Sequence, residues 1–182
     1  MFGRLFGAVC LLVLGVTASW ATTARLLSNQ ALAEHADVVV IGKCVEVRTA
    51  WIDRMLVTLV TIQVSENLRG SGTSVTVVLP GGIDANRPVP VMVTSPGAPQ
   101  ITLAEEVFLF LEDETSTLDG YTVLGFSQGK FSIVTDSQGR RLVERDLRQI
   151  SLQSGTGVAR GTRTSTSLQE FKGEIEQHLR NR

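Results

Sequence analysis

Short apolar runs rich in Val, Ile and Leu, broken by Gly, Pro, Asn and Asp, occupy most of the chain between residues 36 and 143. The first, Ala36-Asp37-Val38-Val39-Val40-Ile41-Gly42-Lys43-Cys44-Val45-Glu46-Val47, predicts a strand from Val38 to about Arg48. Val39, Ile41, Val45 and Val47 share one face with Lys43, and Val38, Val40, Gly42, Cys44 and Glu46 share the other. Gly42 reads as a bulge or bend, because a missing Cβ lets a strand coil tightly. A second strand is expected from Met55 to about Ser65 after a short turn at Asp53-Arg54, and Asn67–Gly72 reads as the turn that follows it. A third covers Val75–Leu79 and stops at Pro80-Gly81-Gly82. Glu106–Leu111 is apolar on both faces and therefore central. Tyr121–Phe126 comes next, and Lys130–Val134 pairs with Arg141–Val143 across Asp136–Gly139.

Helical periodicity is confined to two places. Ser28–Ala36 predicts a short helix with Ser28 as N-cap, and 167–182 predicts a second. Leu168, Phe171, Ile175 and Leu179 form one stripe of the second helix, and Ser167 with Glu170 makes a capping-box pattern. The stripe packs on the strands or fills a partner's groove. Residues 151–166, with Ser154-Gly155-Thr156-Gly157 and Arg160-Gly161-Thr162-Arg163, lack periodicity and read as a flexible linker.

All five prolines lie between residues 80 and 100, so this segment is read as a loop with an edge strand at Val91–Val93. It serves either as a functional loop or as an ordered cover over one end of the strands. Its Gly81, Gly82, Asp84 and Arg87, together with Ser127, Gln128 and Lys130, are the candidate binding residues.

The first 21 residues stand apart. Arg4, an apolar run from Leu5 to Val16 and the small residues Thr17–Ala21 form a secretory-signal pattern, with cleavage expected after Ala21. The run falls short of the ~20 residues of a spanning helix, so the rival reading is an uncleaved anchor. Cleavage removes Cys10 and leaves Cys44 as the sole cysteine, which excludes an internal disulfide and reads as a packed apolar residue. The expected order is a signal at 1–21, a β domain at 28–150, the linker at 151–166 and the closing helix at 167–182.

Charge narrows the partners. Seventeen basic and 18 acidic residues give a net charge of −1 in 182 residues, without the basic excess of a nucleic-acid binder. No membrane contact is expected beyond the signal. No His, Cys, Asp or Glu spacing suggests a metal, and no cofactor is expected. His35 reads as a helix-end residue favoured by the helix dipole. Gly81-Gly82 lacks the lysine and helix of a phosphate loop, and Glu112, Asp113 and Glu114 read as a solvated loop. The one enzyme-like stretch is Ser127–Lys130, where a Ser–Lys pair needs a desolvated lysine to act as base. Thr22 is the other nucleophile to weigh, as an N-terminal residue after cleavage.

This order of elements predicts a mainly β fold: a small closed or partly open Greek-key barrel of the OB type, with a short N-terminal and a C-terminal helix. The residues Ala36–Lys43, Glu66-Asn67-Leu68-Arg69-Gly70 and Glu106–Leu111 are similar to the OB-type barrel of netrin-like modules and tissue metalloproteinase inhibitors, over residues 34–134. Pro80-Gly81-Gly82, Pro96-Gly97-Ala98-Pro99 and Gly125–Phe131 resemble exported bacterial proteins of unknown function. The first resemblance implies the barrel. The inhibitors' N-terminal cysteine and disulfides have no counterpart at Thr22. The expected function is a non-catalytic exported binding module for a protein, peptide or glycan, acting through loop 80–100 and a barrel face. The alternatives are an inhibitor or accessory of a secreted protease, and a hydrolase using Ser127 and Lys130.

Overall fold

The structure, a computed structural model, describes residues 23–113, 120–154 and 157–181. The signal reading of 1–21, Thr22 and Glu114 lie outside the described residues.

The frame is set by two long strands, β2 (Val38–Ile52) and β3 (Met55–Arg69), which form a hairpin across Asp53 (φ 46°) and Arg54 (φ 70°). Two successive left-handed residues make a tight turn whose twist matches that of the strands. β4 (Ser74–Pro80) pairs with β3, and β7 (Glu106–Asp113) with β2. The short β8 (Tyr121–Val123) bridges β4 and β7, antiparallel to β7 and parallel to β4. The ring β2–β3–β4–β8–β7–β2 closes a five-stranded barrel. Numbering its strands in chain order, the ring reads 1-2-3-5-4-1 with the third and fifth parallel, the expected OB-like Greek-key closure. β9 (Lys130–Thr135), β10 (Arg141–Asp146) and β13 (Arg163–Ser167) extend the sheet outward from β7.

Strand alternation divides the core in two. Val38, Val40, Cys44, Val60, Ile62, Val77, Leu109 and Leu111 point into the barrel. Val39, Ile41, Phe108 and Phe110 point outward and are buried by α1 (Asn29–His35) and α2 (Leu168–Arg180). This second layer is why β2 and β7 read as apolar on both faces. The α2 stripe packs on the barrel: Phe171 stands edge-on to Phe108 at 5.1 Å and lies 4.7 Å from Phe131. Ser28 caps α1 by accepting from the Ala31 N–H at 3.1 Å, and Arg69 closes its other end by donating to the carbonyls of Ala33 (2.7 Å) and Ala36 (2.6 Å). Gly42 sits at a register shift, where a Cβ would lie 2.5 Å from the Gln63 carbonyl oxygen.

Several elements differ from those that the hydrophobic pattern predicts. Residues 151–166 are not a structureless linker: β11 (Ser151–Ser154) and β12 (Gly157–Arg160) form a hairpin, and β13 pairs with β10. The hairpin is completed by β1 (Thr23–Arg25), parallel to β11, a strand supplied from the far end of the chain. Short polar strands carry no apolar alternation, so their pairing is tertiary. β3 continues through Leu68 to Arg69 because Val39 and Val40 of β2 pair with it there. The strand expected over Tyr121–Phe126 ends at Val123, and 124–129 turns back. Ser167 precedes α2, but its hydroxyl makes no capping bond; the residue belongs to β13. Among the described residues no helix is long and apolar enough to cross a membrane.

Candidate functional site

The Pro/Gly-rich segment folds into a small hairpin of β5 (Gly82–Asp84) and β6 (Val91–Val93), which lies across the outer half of the β2–β3 hairpin. Side chains of the long hairpin hold it by its backbone. Thr58 Oγ1 donates to the Gly81 carbonyl at 2.8 Å, Thr49 Oγ1 to the Ile83 carbonyl at 2.9 Å, and the Gly81 N–H donates to the Leu56 carbonyl at 3.0 Å. Both candidate glycines are required by this close approach. A Cβ on Gly81 (φ 88°) would meet the Val93 carbonyl oxygen at 2.5 Å, and one on Gly82 (φ 148°) would meet Thr49 and Thr58 side-chain atoms at 2.7 Å.

Asp84 and Arg87 form one cluster with Trp51. The Trp51 indole N–H donates to Asp84 Oδ2 at 2.7 Å, Arg87 Nε donates to the same oxygen at 3.0 Å, and the guanidinium lies 4.5 Å from the ring centroid. The indole bond, with smaller contributions from the Asn86 N–H and Arg87, outweighs desolvation and holds the Asp84 carboxyl below its ordinary value. Arg87 stacked on Trp51 gains a cation–π contact.

Two open grooves flank the hairpin. The first, about 580 Å³, runs between Val47, Thr49, Ile83, Met92 and the 97–101 segment. The second, about 620 Å³, is lined by Trp51, Met55, Val57, Val78, Val93, Pro99 and Phe126. Met92 is 67% exposed, Met55 57%, Ile83 56% and Phe126 42%. Phe126 follows Gly125 (φ 64°) and itself adopts φ 69°, a conformation that bulky residues avoid. The strain is local, and it holds an aromatic ring at the groove.

Beyond the 97–100 segment lies a polar cavity of about 290 Å³, walled by Ser127, Lys130, Ser132, Glu144, Asp146 and Arg163 among others. Lys130 Nζ donates to Glu105 Oε1 at 2.6 Å and to Ser132 Oγ at 2.7 Å, while Ser132 donates to the same carboxylate oxygen at 2.8 Å. Burial alone would raise the Glu105 carboxyl; the bonds from Lys130, Thr102 and Ser132 reverse this and hold it low. Arg163 pairs with Glu144. Arg148 brings the exposed Asp146 carboxyl down to about 2, mainly by side-chain hydrogen bonds.

The candidate residues therefore separate. Gly81 and Gly82 line the grooves, Asp84 and Arg87 stand beside the second groove through Trp51, and Ser127 and Lys130 meet at the polar cavity. Gln128 belongs to neither. At 1% exposure it accepts from the Leu27 N–H at 2.8 Å, donates to the Arg25 carbonyl at 2.8 Å and accepts from Arg145 Nη2 at 3.4 Å. Arg145 is buried over the Phe131 ring, 5.3 Å away, and desolvation lowers its pKa to about 10. Trp51, Met55, Phe126, Glu105, Ser132 and Arg145 escaped the sequence reading. Only Trp51 carried a signal, as an aromatic at the polar end of a long strand. Cys44 is buried in the barrel, with its thiol pushed up chiefly by burial, and among the described residues no group of acidic, His or Cys side chains has metal-site geometry. No protein-family model matches the chain, and no curated protein matches its sequence.

Proposed function

We propose that the protein is an exported, non-catalytic binding module that holds an apolar stretch of a protein or peptide in the grooves beside residues 80–100. The observation that carries this reading is the gathering of exposed Met55, Ile83, Met92 and Phe126 at one barrel end, with Phe126 kept in a strained backbone conformation. Apolar patches of this kind mark interaction sites, and strained residues cluster at them. Export rests on the signal pattern of residues 1–21. The likeness to netrin-like barrels belongs to the same proposal and supplies the scaffold alone.

A peptide is favoured over a glycan because Arg87 covers a face of Trp51, the aromatic that a sugar ring would stack on. A Ser127–Lys130 hydrolase is disfavoured: the Lys130 ammonium is committed to Glu105 and Ser132, and among the described residues no hydrogen bond joins it to the Ser127 hydroxyl. A base needs a free lone pair on the lysine nitrogen.

Phe126→Gly is the discriminating variant, since glycine accepts φ 69° without strain. On arrays of apolar and polar peptides, the intact chain is expected to retain apolar sequences. The variant is expected to keep its melting temperature or raise it and to lose that retention. Retention equal to that of the intact chain would defeat the proposal.

A further inference from the structure

The outer edge of β2 is open over half its length. β7 pairs with β2 only as far as Lys43, and Ala104 and Glu105 close off Cys44 through backbone hydrogen bonds of 2.9 and 2.8 Å. From Val45 to Ile52, β2 pairs with β3 alone, and no backbone partner meets its other edge among the described residues. The two-residue turn at Asp53-Arg54 makes Ile52 and Met55 a hydrogen-bonded pair. Counting back by alternation, Val47, Thr49 and Trp51 turn their N–H and C=O groups to the open edge. Val45 and Val47 are 46% and 41% exposed, and Glu46 and Arg48 alternate with them.

The charge order is self-complementary about Val47. An antiparallel second copy with its two-fold axis at Val47 places Glu46 opposite Arg48 of that copy, Arg48 opposite its Glu46, and Val45 opposite its Thr49. An axis at Arg48 puts two guanidinium groups face to face, and an axis at Thr49 sets Arg48 against Ala50 and Glu46 against Ile52. Opposite charges across a pair stabilise it and like charges oppose it. We propose that residues 45–49 of β2 are a homodimer seam, two copies of this chain joining their barrels antiparallel across Val47.

The seam is isologous, as two-fold dimers require. Its length is limited to five residues a side because Cys44 is already bonded, so the dimer is weak and concentration-dependent. Val47 and Thr49 also line the first groove, so the seam sets two grooves side by side. A bulge near Val45 and charges along an edge also serve to keep a strand monomeric; the experiment separates the two uses.

Sedimentation equilibrium of the full-length chain over a concentration series is expected to show conversion from one-chain to two-chain mass. Glu46→Arg and Arg48→Glu are each expected to weaken association by about tenfold or more. An equimolar mixture of these two variants is expected to regain the two-chain species, since each strand then faces its opposite. In a background with Cys10 and Cys44 both replaced by Ala, Val47→Cys is expected to cross-link under oxidation and Thr49→Cys to stay unlinked, a readout that survives if a charge variant misfolds. A single-chain mass for the unaltered protein throughout, or a mixture that fails to associate while the unaltered chain does, overturns the proposal.

Discussion

Replacing Gln128 with alanine tests whether this residue is scaffold or ligand contact. Its side-chain amide stands in for a neighbouring strand, accepting from Leu27 and donating to Arg25 at 2.8 Å each. It is also an acceptor for Arg145, whose Nη atoms otherwise reach the Leu27 carbonyl at 3.3 Å and whose Nε has no partner among the described residues. Two lost neutral hydrogen bonds are worth about 1 kcal/mol each, and the half-buried Leu27 amide left unpaired adds up to about 1 kcal/mol. Less acceptance for a buried guanidinium pushes the same way, so the expected loss is about 2–4 kcal/mol. Urea unfolding is the assay: the midpoint should fall at nearly constant slope, and amides of residues 23–27 should lose hydrogen-exchange protection first. Folded Gln128→Ala protein should bind apolar peptides as the parent does. A stability change under about 0.5 kcal/mol, or selective loss of binding at unchanged stability, would refute the clamp.

The Glu105–Lys130–Ser132 cluster predicts an acid-side response. The folded Glu105 carboxyl lies below its ordinary 4.5, so its contribution is complete above the unfolded value and is lost as pH falls through the folded one. Urea midpoints measured on descending below about pH 5 should drop less steeply in Lys130→Met than in the parent, and equal slopes would exclude the coupling. Gly42→Ala should destabilise strongly, by about 2 kcal/mol or more, because its Cβ would meet backbone at 2.5 Å. A thermal melt unchanged by that substitution would mean that the bulge relaxes freely.

The barrel was legible because its strands alternate cleanly. Val38 and Val40 on one face of β2, and Val39 and Ile41 on the other, announce a strand buried twice, and Asp53-Arg54 announces the turn after it. Gly42 and Ser28 were readable for the same reason, since each answers a local steric or hydrogen-bond demand. The site was only half readable. Gly81 and Gly82 declare that backbone passes close, without saying that Thr49 and Thr58 lie beneath. Ser127, Gln128 and Lys130 are consecutive enough to look like one site, yet the turn at Gly125–Gly129 buries Gln128 away from the cavity that Ser127 and Lys130 share.

The amino-acid order alone determined the apolar strands of the barrel, the two helices and the Pro/Gly segment, because these follow from alternation, capping and composition within a few residues. Only the tertiary structure decided the rest. Polar strands such as β1, β11, β12 and β13 exist because distant segments offer hydrogen-bond partners, and a backbone edge carries no side-chain signature of the strand that will meet it. Burial of Gln128 and Arg145, exposure of Phe126 and the open edge of β2 are likewise properties of what surrounds a residue. Those surroundings come from the ring closing, and no local run of sequence contains them.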